Sequence, residues 1–152
     1  MRIFLATVHL LALGIGLAAV FARARAMNDL AAPGALDRGM KADAWWGIAA
    51  LLWISTGLWR VFGSMEKTSS YYWSNHVFIA KLGLLAVILV IELWPMVTLI
   101  RWRIAATRNA MPDASEMQRI GKRIARISDV QTLLVVAMVF AATMMARGFG
   151  AG

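Results

Sequence analysis

Four long apolar blocks constrain the fold of this chain more than any other feature of its sequence. They run over residues 3–22, 45–62, 76–100 and 130–146. Each is close to the roughly 20 residues that an α-helix needs to cross a bilayer. The chain is 61% hydrophobic and 16% charged, whereas soluble domains average about 45–50% and about 25%. The sequence therefore predicts an all-α integral membrane protein, a four-helix bundle that forms one domain over residues 1–152.

Positive charge is concentrated in the first and third predicted loops. The cations there are Arg23, Arg25, Arg38, Lys41, Arg101, Arg103, Arg108, Arg119, Lys122, Arg123 and Arg126. Because Lys and Arg accumulate in cytoplasmic loops, both loops are predicted to be cytoplasmic and both termini to lie outside. We expect a multi-pass protein of the bacterial inner membrane. The net charge of +8 then indicates contact with anionic lipids rather than with nucleic acid.

The third loop is predicted to contain a short basic amphipathic helix. Its apolar residues are Met117, Ile120, Ile124 and Ile127, and its basic residues are Arg119, Lys122, Arg123 and Arg126. This pattern is typical of a helix that lies on the inner membrane surface, or of a solvated loop helix. Ser115 with Gln118, and Ser128 with Gln131, have capping-box spacing, so a helix is predicted to begin at each place.

The first block also has features of a signal peptide. Arg2 precedes the apolar run, and residues 24–26 have the A-x-A form of a cleavage site. The length of the run and the two arginines that follow it favour a retained first helix.

The histidines, His9 and His76, both belong to apolar segments. A titratable ring in hydrocarbon is costly, so an intramembrane histidine indicates function. Histidine is also the commonest protein ligand for metals, haem iron included. Both are therefore candidate metal ligands. His9 ranks first, because the N-cap residues Ser74 and Asn75 place His76 close to the surface.

His9 heads a stripe of small residues on the first helix. The stripe comprises His9, Ala12, Gly16, Ala19 and Arg23, which share one helix face. Small residues allow either a second helix or a flat ligand to approach the backbone. The stripe is therefore either a groove for a porphyrin edge, with Gly16 as a contact, or a packing seam across which His9 forms hydrogen bonds.

Three further ionisable side chains occupy the second and third helices. Lys81 and Arg60 lie toward the outer ends, where they are candidate clamps for haem propionates or simply snorkel to the surface. Glu92 is about 16 Å from Lys81 along the helix, too far for a direct pair. The cations predicted to reach Glu92 are Arg23, Arg25 and Lys41.

The segments around these residues resemble a known family. Phe4–Ala12 is similar to the first helix of HemJ-type protoporphyrinogen oxidases, and Asn75–Leu84 resembles the histidine-and-lysine start of their third helix. Ser55–Trp59 occupies the position of a small-residue turn in that family. The overall pattern also resembles a group of uncharacterised bacterial inner-membrane proteins with this four-helix plan and, further away, CopD-type membrane domains. The resemblance implies a haem b site with His9 as ligand and Lys81 near the porphyrin.

Three functions compete at this level. The first is a haem b protein with a redox role, either electron transfer or porphyrin oxidation by an oxidoreductase of the protoporphyrinogen oxidase type, with a porphyrin or quinone as partner. The second is copper binding or transport, because the chain has 10 methionines, among them Met65, Met144 and Met145. The third is a non-catalytic structural subunit.

Small-residue faces also permit a homodimer. The absence of cysteine excludes disulfides and Fe–S clusters.

Overall fold

The computed structural model describes residues 2–63 and 75–149, and these residues form four α-helices. The helices are α1 (Arg2–Asn28), α2 (Ala35–Phe62), α3 (His76–Thr107) and α4 (Ala114–Ala146). Successive helices are antiparallel, so α1 and α3 end where α2 and α4 begin. We call this the basic end, because it carries the cations of the first and third loops, and the opposite end the terminal end. The predicted all-α membrane helical bundle is confirmed.

Each helix contains its predicted apolar block and extends beyond it. α2 begins at Ala35 instead of residue 45, and α3 continues to Thr107 instead of residue 100. Hydropathy marks only the apolar part of a helix, whereas Lys, Arg and Met in the flanks are also good helix formers. Local stop and start signals fix the actual ends. Gly34 is left-handed just before α2, and the Asn75 side chain caps α3 by accepting two backbone N–H bonds.

The predicted short helix of the third loop is not a separate element. α4 begins at Ala114 and continues for 33 residues, about 50 Å. Its N-cap is Asp113, which accepts a 2.9 Å bond from the Glu116 N–H. Ser128, predicted to start a new helix, lies inside α4 and donates to the Ile124 carbonyl at 2.9 Å. The amphipathic segment therefore forms the first turns of α4.

The apolar side of these turns faces protein rather than the membrane surface. It contributes to a buried cluster made of Met27, Leu99, Trp102, Ile124 and Ala125, against which Met117 and Ile120 pack. A Cβ at Gly121 would lie 2.7 Å from the Met27 carbonyl oxygen, so only glycine allows this approach of α4 to α1. The predicted apolar face is correct, but it packs against the core of the bundle.

Among the described residues, α1, α3 and α4 are long and apolar enough to cross a membrane. The remaining helix, α2, has 28 residues, which gives it the length of a span at about 42 Å. Its first third is polar, with Asp37, Arg38, Lys41 and Asp43. The second predicted span is thus a helix that lacks the composition of the other three, and it packs along α1.

The described helices pack side by side in the order α2, α1, α4 and α3. α1 packs against α2 and α4, and α4 packs against α3, whereas the described parts of α2 and α3 share no extended contact. Between the terminal half and the basic half lies a dry core, whose buried members include Ala12, Trp46, Ile88 and Val135. This core separates two polar sites, one in each half of the bundle.

Candidate functional site

The terminal half of the bundle encloses a cavity of about 620 Å³ to which all four helices contribute. Its walls are mainly apolar, with Leu13, Ile54, Leu82 and Met138 among them. The buried side chains of Trp53 and Met138 belong to the dry core and form the inner end of the cavity. The volume and the apolar lining are typical of small-molecule sites, which measure about 300–1,000 Å³.

Three of the predicted site residues line this cavity: His9 from α1, Arg60 from α2 and Lys81 from α3. All three side chains are half-buried. Arg60 is two residues from the end of α2 at Phe62, and Lys81 is five residues from the start of α3. The two cations therefore lie toward the terminal end, and the apolar walls extend from them toward the middle of the bundle.

His9 forms hydrogen bonds across the seam between α1 and α2. The Trp53 indole N–H donates to His9 Nε2 at 3.0 Å, and His9 Nδ1 lies 3.0 Å from the Thr56 hydroxyl. Because the indole is only a donor, Nε2 accepts, and the neutral ring carries its proton on Nδ1 and donates to Thr56. The Thr56 hydroxyl donates in turn to the Leu52 carbonyl at 2.6 Å. Both ring nitrogens are thus engaged with protein.

Gly57 leaves the space in which the His9 ring packs against α2. A Cβ at Gly57 would lie 3.2 Å from His9 Cε1. Gly16, the other predicted contact, lies outside the cavity lining, and a Cβ there would meet the Trp46 ring at 3.2 Å. The small-residue stripe of α1 therefore forms a packing seam with α2, and Ala12 and Ala19 are buried in it.

His76 is separated from the cavity. It is the first residue of α3, follows the Asn75 cap and is exposed. It does not line the cavity. The described residues contain no cluster of three or more His, Asp or Glu side chains suited to a metal ion. Of the predicted copper ligands, Met145 lines the cavity, Met144 does not, and Met65 lies outside the described residues.

The basic half of the bundle contains a second polar site, built around Arg23. This side chain is fully buried. Its guanidinium donates to Glu92 at 2.7 and 2.8 Å, to Asp43 at 2.8 Å, to Gln131 at 2.8 Å and to Ser128 at 3.0 Å. These bonds use all five N–H donors of the guanidinium, and they join α1 to each of the other three helices.

A second arginine completes the charge balance of this cluster. Arg103 of α3 donates to Asp43 at 3.2 Å and to the Met40 carbonyl at 2.8 Å. Two arginines thus face two carboxylates, so the cluster is neutral as a whole. The Arg103 contacts join α3 to the start of α2 at the basic end.

The sequence indicated only part of this cluster. Arg23 was among the predicted partners of Glu92, whereas Arg25 pairs instead with Asp129 and Lys41 with Asp37. The capping-box spacing of Ser128 and Gln131 predicts a helix start, whereas both residues lie inside α4. Their spacing of three residues also places them on one helix face, and that shared face, opposite a buried arginine, is the signal that was missed.

Comparison with known proteins identifies the family of the chain. No curated protein and no solved structure matches it. Residues 1–150 match the family model described as predicted membrane protein (DUF2214). The match covers nearly the whole chain, so this four-helix membrane protein belongs to that family.

Proposed function

We propose that this protein binds, in the cavity at its terminal end, a mostly apolar small molecule that carries an acidic group. The observation that carries the proposal is the placement of Arg60 and Lys81 in the wall of one large apolar cavity. Arginine recognises carboxylates through two parallel N–H bonds, and lysine adds a point charge. A porphyrin with its propionates is the candidate favoured by the resemblance to HemJ-type proteins, and haem b is its iron form.

The residues of the cavity suit the propionates and the ring of haem b better than its iron. Arg60 and Lys81 fit its propionates, and the apolar walls fit its ring. An axial ligand is less well provided, because both nitrogens of His9 are hydrogen-bonded to Trp53 and Thr56. His9 would therefore have to break its bond with Trp53 before Nε2 could coordinate iron. Haem b, when bound, would supply one-electron chemistry, but recognition of the acidic group does not depend on iron.

One observation favours a second candidate function, a structural subunit without a ligand. The hydrogen bonds of His9 within the seam are those expected of a polar residue that holds two membrane helices together. The two functions differ in what they require of the cations, since helix packing through His9 needs neither Arg60 nor Lys81.

A binding titration in detergent or nanodiscs tests the proposal. The probes are haem, iron-free protoporphyrin and a pyrene-labelled fatty acid, and the readout is quenching of tryptophan fluorescence, because Trp53 lines the cavity. We expect haem and iron-free protoporphyrin to bind with similar affinity. The double variant Arg60→Gln/Lys81→Gln should lose at least tenfold in affinity for each probe that binds.

The matched control is Arg101→Gln/Arg108→Gln, which removes two exposed cations at the basic end and should leave binding unchanged. Equal losses in both double variants would indicate a general charge effect and contradict the proposal. Absence of binding by all three probes would favour the structural subunit. Copper in the purified protein, lost on Met145→Leu, would favour the copper function.

A further inference from the structure

Among the described residues, α2 and α3 line the cavity from two sides without extended contact with each other. α2 contributes Ile54, Leu58, Val61 and Phe62 to the wall, and α3 contributes Phe78, Lys81, Leu82 and Leu85. Residues of each set recur at three- to four-residue spacing, so each forms one row along its helix. The described parts of the two helices share no extended packing. The rows therefore face each other across a slot, which we call the α2–α3 slot.

Both edges of the slot are largely apolar, and the α2 edge is exposed. Leu58 is 50% exposed and Phe62 is 65% exposed. α3 is one of the candidate membrane spans, so in a bilayer the part of the slot deeper than Arg60, lined by Ile54, Leu58 and Leu85, meets acyl chains rather than water. A polar ligand would lose its hydration on such a path, whereas an apolar chain would exchange one apolar surrounding for another.

The slot is charged near the terminal end and apolar farther in, as a lipid leaflet is from its headgroups to its chains. Arg60 and Lys81 lie roughly 3 Å and 7.5 Å from the terminal ends of their helices, at 1.5 Å per residue. Ile54 and Leu85 line it deeper, roughly 12–14 Å from the same ends. Cations thus lie at the depth of headgroups, and apolar residues lie at the depth of chains. An acidic amphiphile with its headgroup outward matches this gradient without turning over.

We infer that the ligand of the cavity is a membrane-resident acidic amphiphile, a single-chain lipid acid in its simplest form, which enters sideways from the bilayer through the α2–α3 slot. This inference rests on the proposed function and adds its ligand class and its route. The inner end of the cavity is formed by Trp53 and Met138 of the dry core, so the ligand returns to the leaflet from which it came.

Bridging the slot in nanodiscs tests the route. The chain has no native cysteine, so Leu58→Cys/Leu82→Cys creates a pair that a short bismaleimide can link. The probe is pyrene-labelled hexadecanoic acid, followed by energy transfer from tryptophan. Linking before the probe is added should slow its association at least tenfold, and linking afterwards should slow its release by a similar factor. The two single-cysteine variants treated with the same reagent control for modification without a bridge.

A second variant, Leu58→Trp/Leu82→Trp, narrows the slot without chemistry and should also slow association. Unchanged association and release rates in both the linked and the tryptophan variants would overturn the lateral route while leaving the proposed function intact, with entry from the aqueous end. Failure of the unmodified protein to bind the probe, together with tight binding of protoporphyrin, would overturn the lipid class but not the cavity. Failure to bind either compound would remove the proposed function itself.

Discussion

The guanidinium of Arg23 donates to both carboxylate oxygens of Glu92, at 2.7 and 2.8 Å, across 69 residues of sequence. This parallel pair is the strong form of a carboxylate–arginine contact. It is enclosed by the membrane bundle, where a charge without a partner is costly. The pair therefore fixes the register of α3 against α1, two helices that share no extended packing of their own.

Removing one partner of this pair should destabilise the protein strongly. Glu92→Leu leaves the buried Arg23 with Asp43 as its carboxylate, and breaking a buried pair costs about 3–5 kcal/mol. Arg23→Met should cost a similar amount, because it leaves Glu92 without a cation. The double variant Arg23→Met/Glu92→Leu should lose less than the sum of the single variants, since Arg103 still pairs with Asp43. Unfolding in mixed detergent with increasing dodecyl sulfate measures all three.

An exposed pair between α1 and α4 provides the control for that cycle. Arg25 and Asp129 lie 3.7 Å apart, with 65% and 52% of their side chains exposed. Arg25→Gln should change stability little, because solvent screens exposed pairs. Additive losses in the Arg23 and Glu92 cycle would show that the two side chains act independently, contrary to the geometry.

Gly121 should be far less replaceable than Gly83. A Cβ at Gly121 would lie 2.6 Å from Leu30 Cδ1 and 2.7 Å from the Met27 carbonyl oxygen, whereas at Gly83 nothing lies within 4 Å. Gly121→Ala should therefore separate α4 from α1 and cost about 1–3 kcal/mol. Gly83→Ala should be neutral or stabilise by up to about 1 kcal/mol through helix propensity. Parallel unfolding curves decide the prediction, and equal effects of the two substitutions would contradict the close approach.

The sequence predicts the helices well because long apolar blocks have few alternatives in a membrane. It misplaces helix ends where polar residues continue the helix, as between Ala114 and Ser128. Hydropathy averages over a window and does not detect that the helix which begins at Ala114 continues through Ser128. The basic amphipathic segment shows the same limit, because periodicity identifies an apolar face but not the surface that covers it.

The candidate site was predictable in part for a similar reason. His9, Arg60 and Lys81 are rare ionisable residues in apolar helices, so antiparallel packing alone brings them to one end of the bundle. The hydrogen bond from Trp53 to His9 was not predictable, because it depends on side-chain rotamers and on the space that Gly57 leaves. That bond occupies the Nε2 atom through which His9 would coordinate a metal.

The start of α4 should respond to acid through Asp113. The Ser115 hydroxyl donates a hydrogen bond to this carboxylate, and the Glu116 N–H donates another. Both bonds lower the pKa of Asp113 below its ordinary value, and the Ser115 bond has the larger effect. A carboxylate whose pKa is lower in the folded state stabilises the fold above its unfolded pKa. That contribution is lost as the pH falls through the folded value, below about pH 4.

Asp113→Asn separates charge from capping. Asparagine also caps helices, so the variant should keep its melting temperature near neutral pH but lose the part of the acid dependence that Asp113 contributes. The difference between the melting temperatures of the wild type and the variant, followed from pH 7 downward, measures this contribution. A difference that does not change with pH would show that the carboxylate does not titrate with folding.

Trp53→Phe should convert His9 from a saturated packing residue into an available ligand. Removing the indole N–H leaves Nε2 without the donor that it has at 3.0 Å. The bond to Thr56 still holds the proton on Nδ1. Haem would then no longer compete with a hydrogen bond of about 0.5–1.5 kcal/mol, so its affinity should rise roughly two- to tenfold. The affinity for iron-free protoporphyrin, which needs no axial ligand, should change much less.

Trp45→Phe, at an exposed position of the same helix, is the matched control. Absorption titrations with both porphyrins measure the ratio of the two affinities. A ratio that is the same in the wild type and in Trp53→Phe would show that Trp53 does not keep His9 from iron.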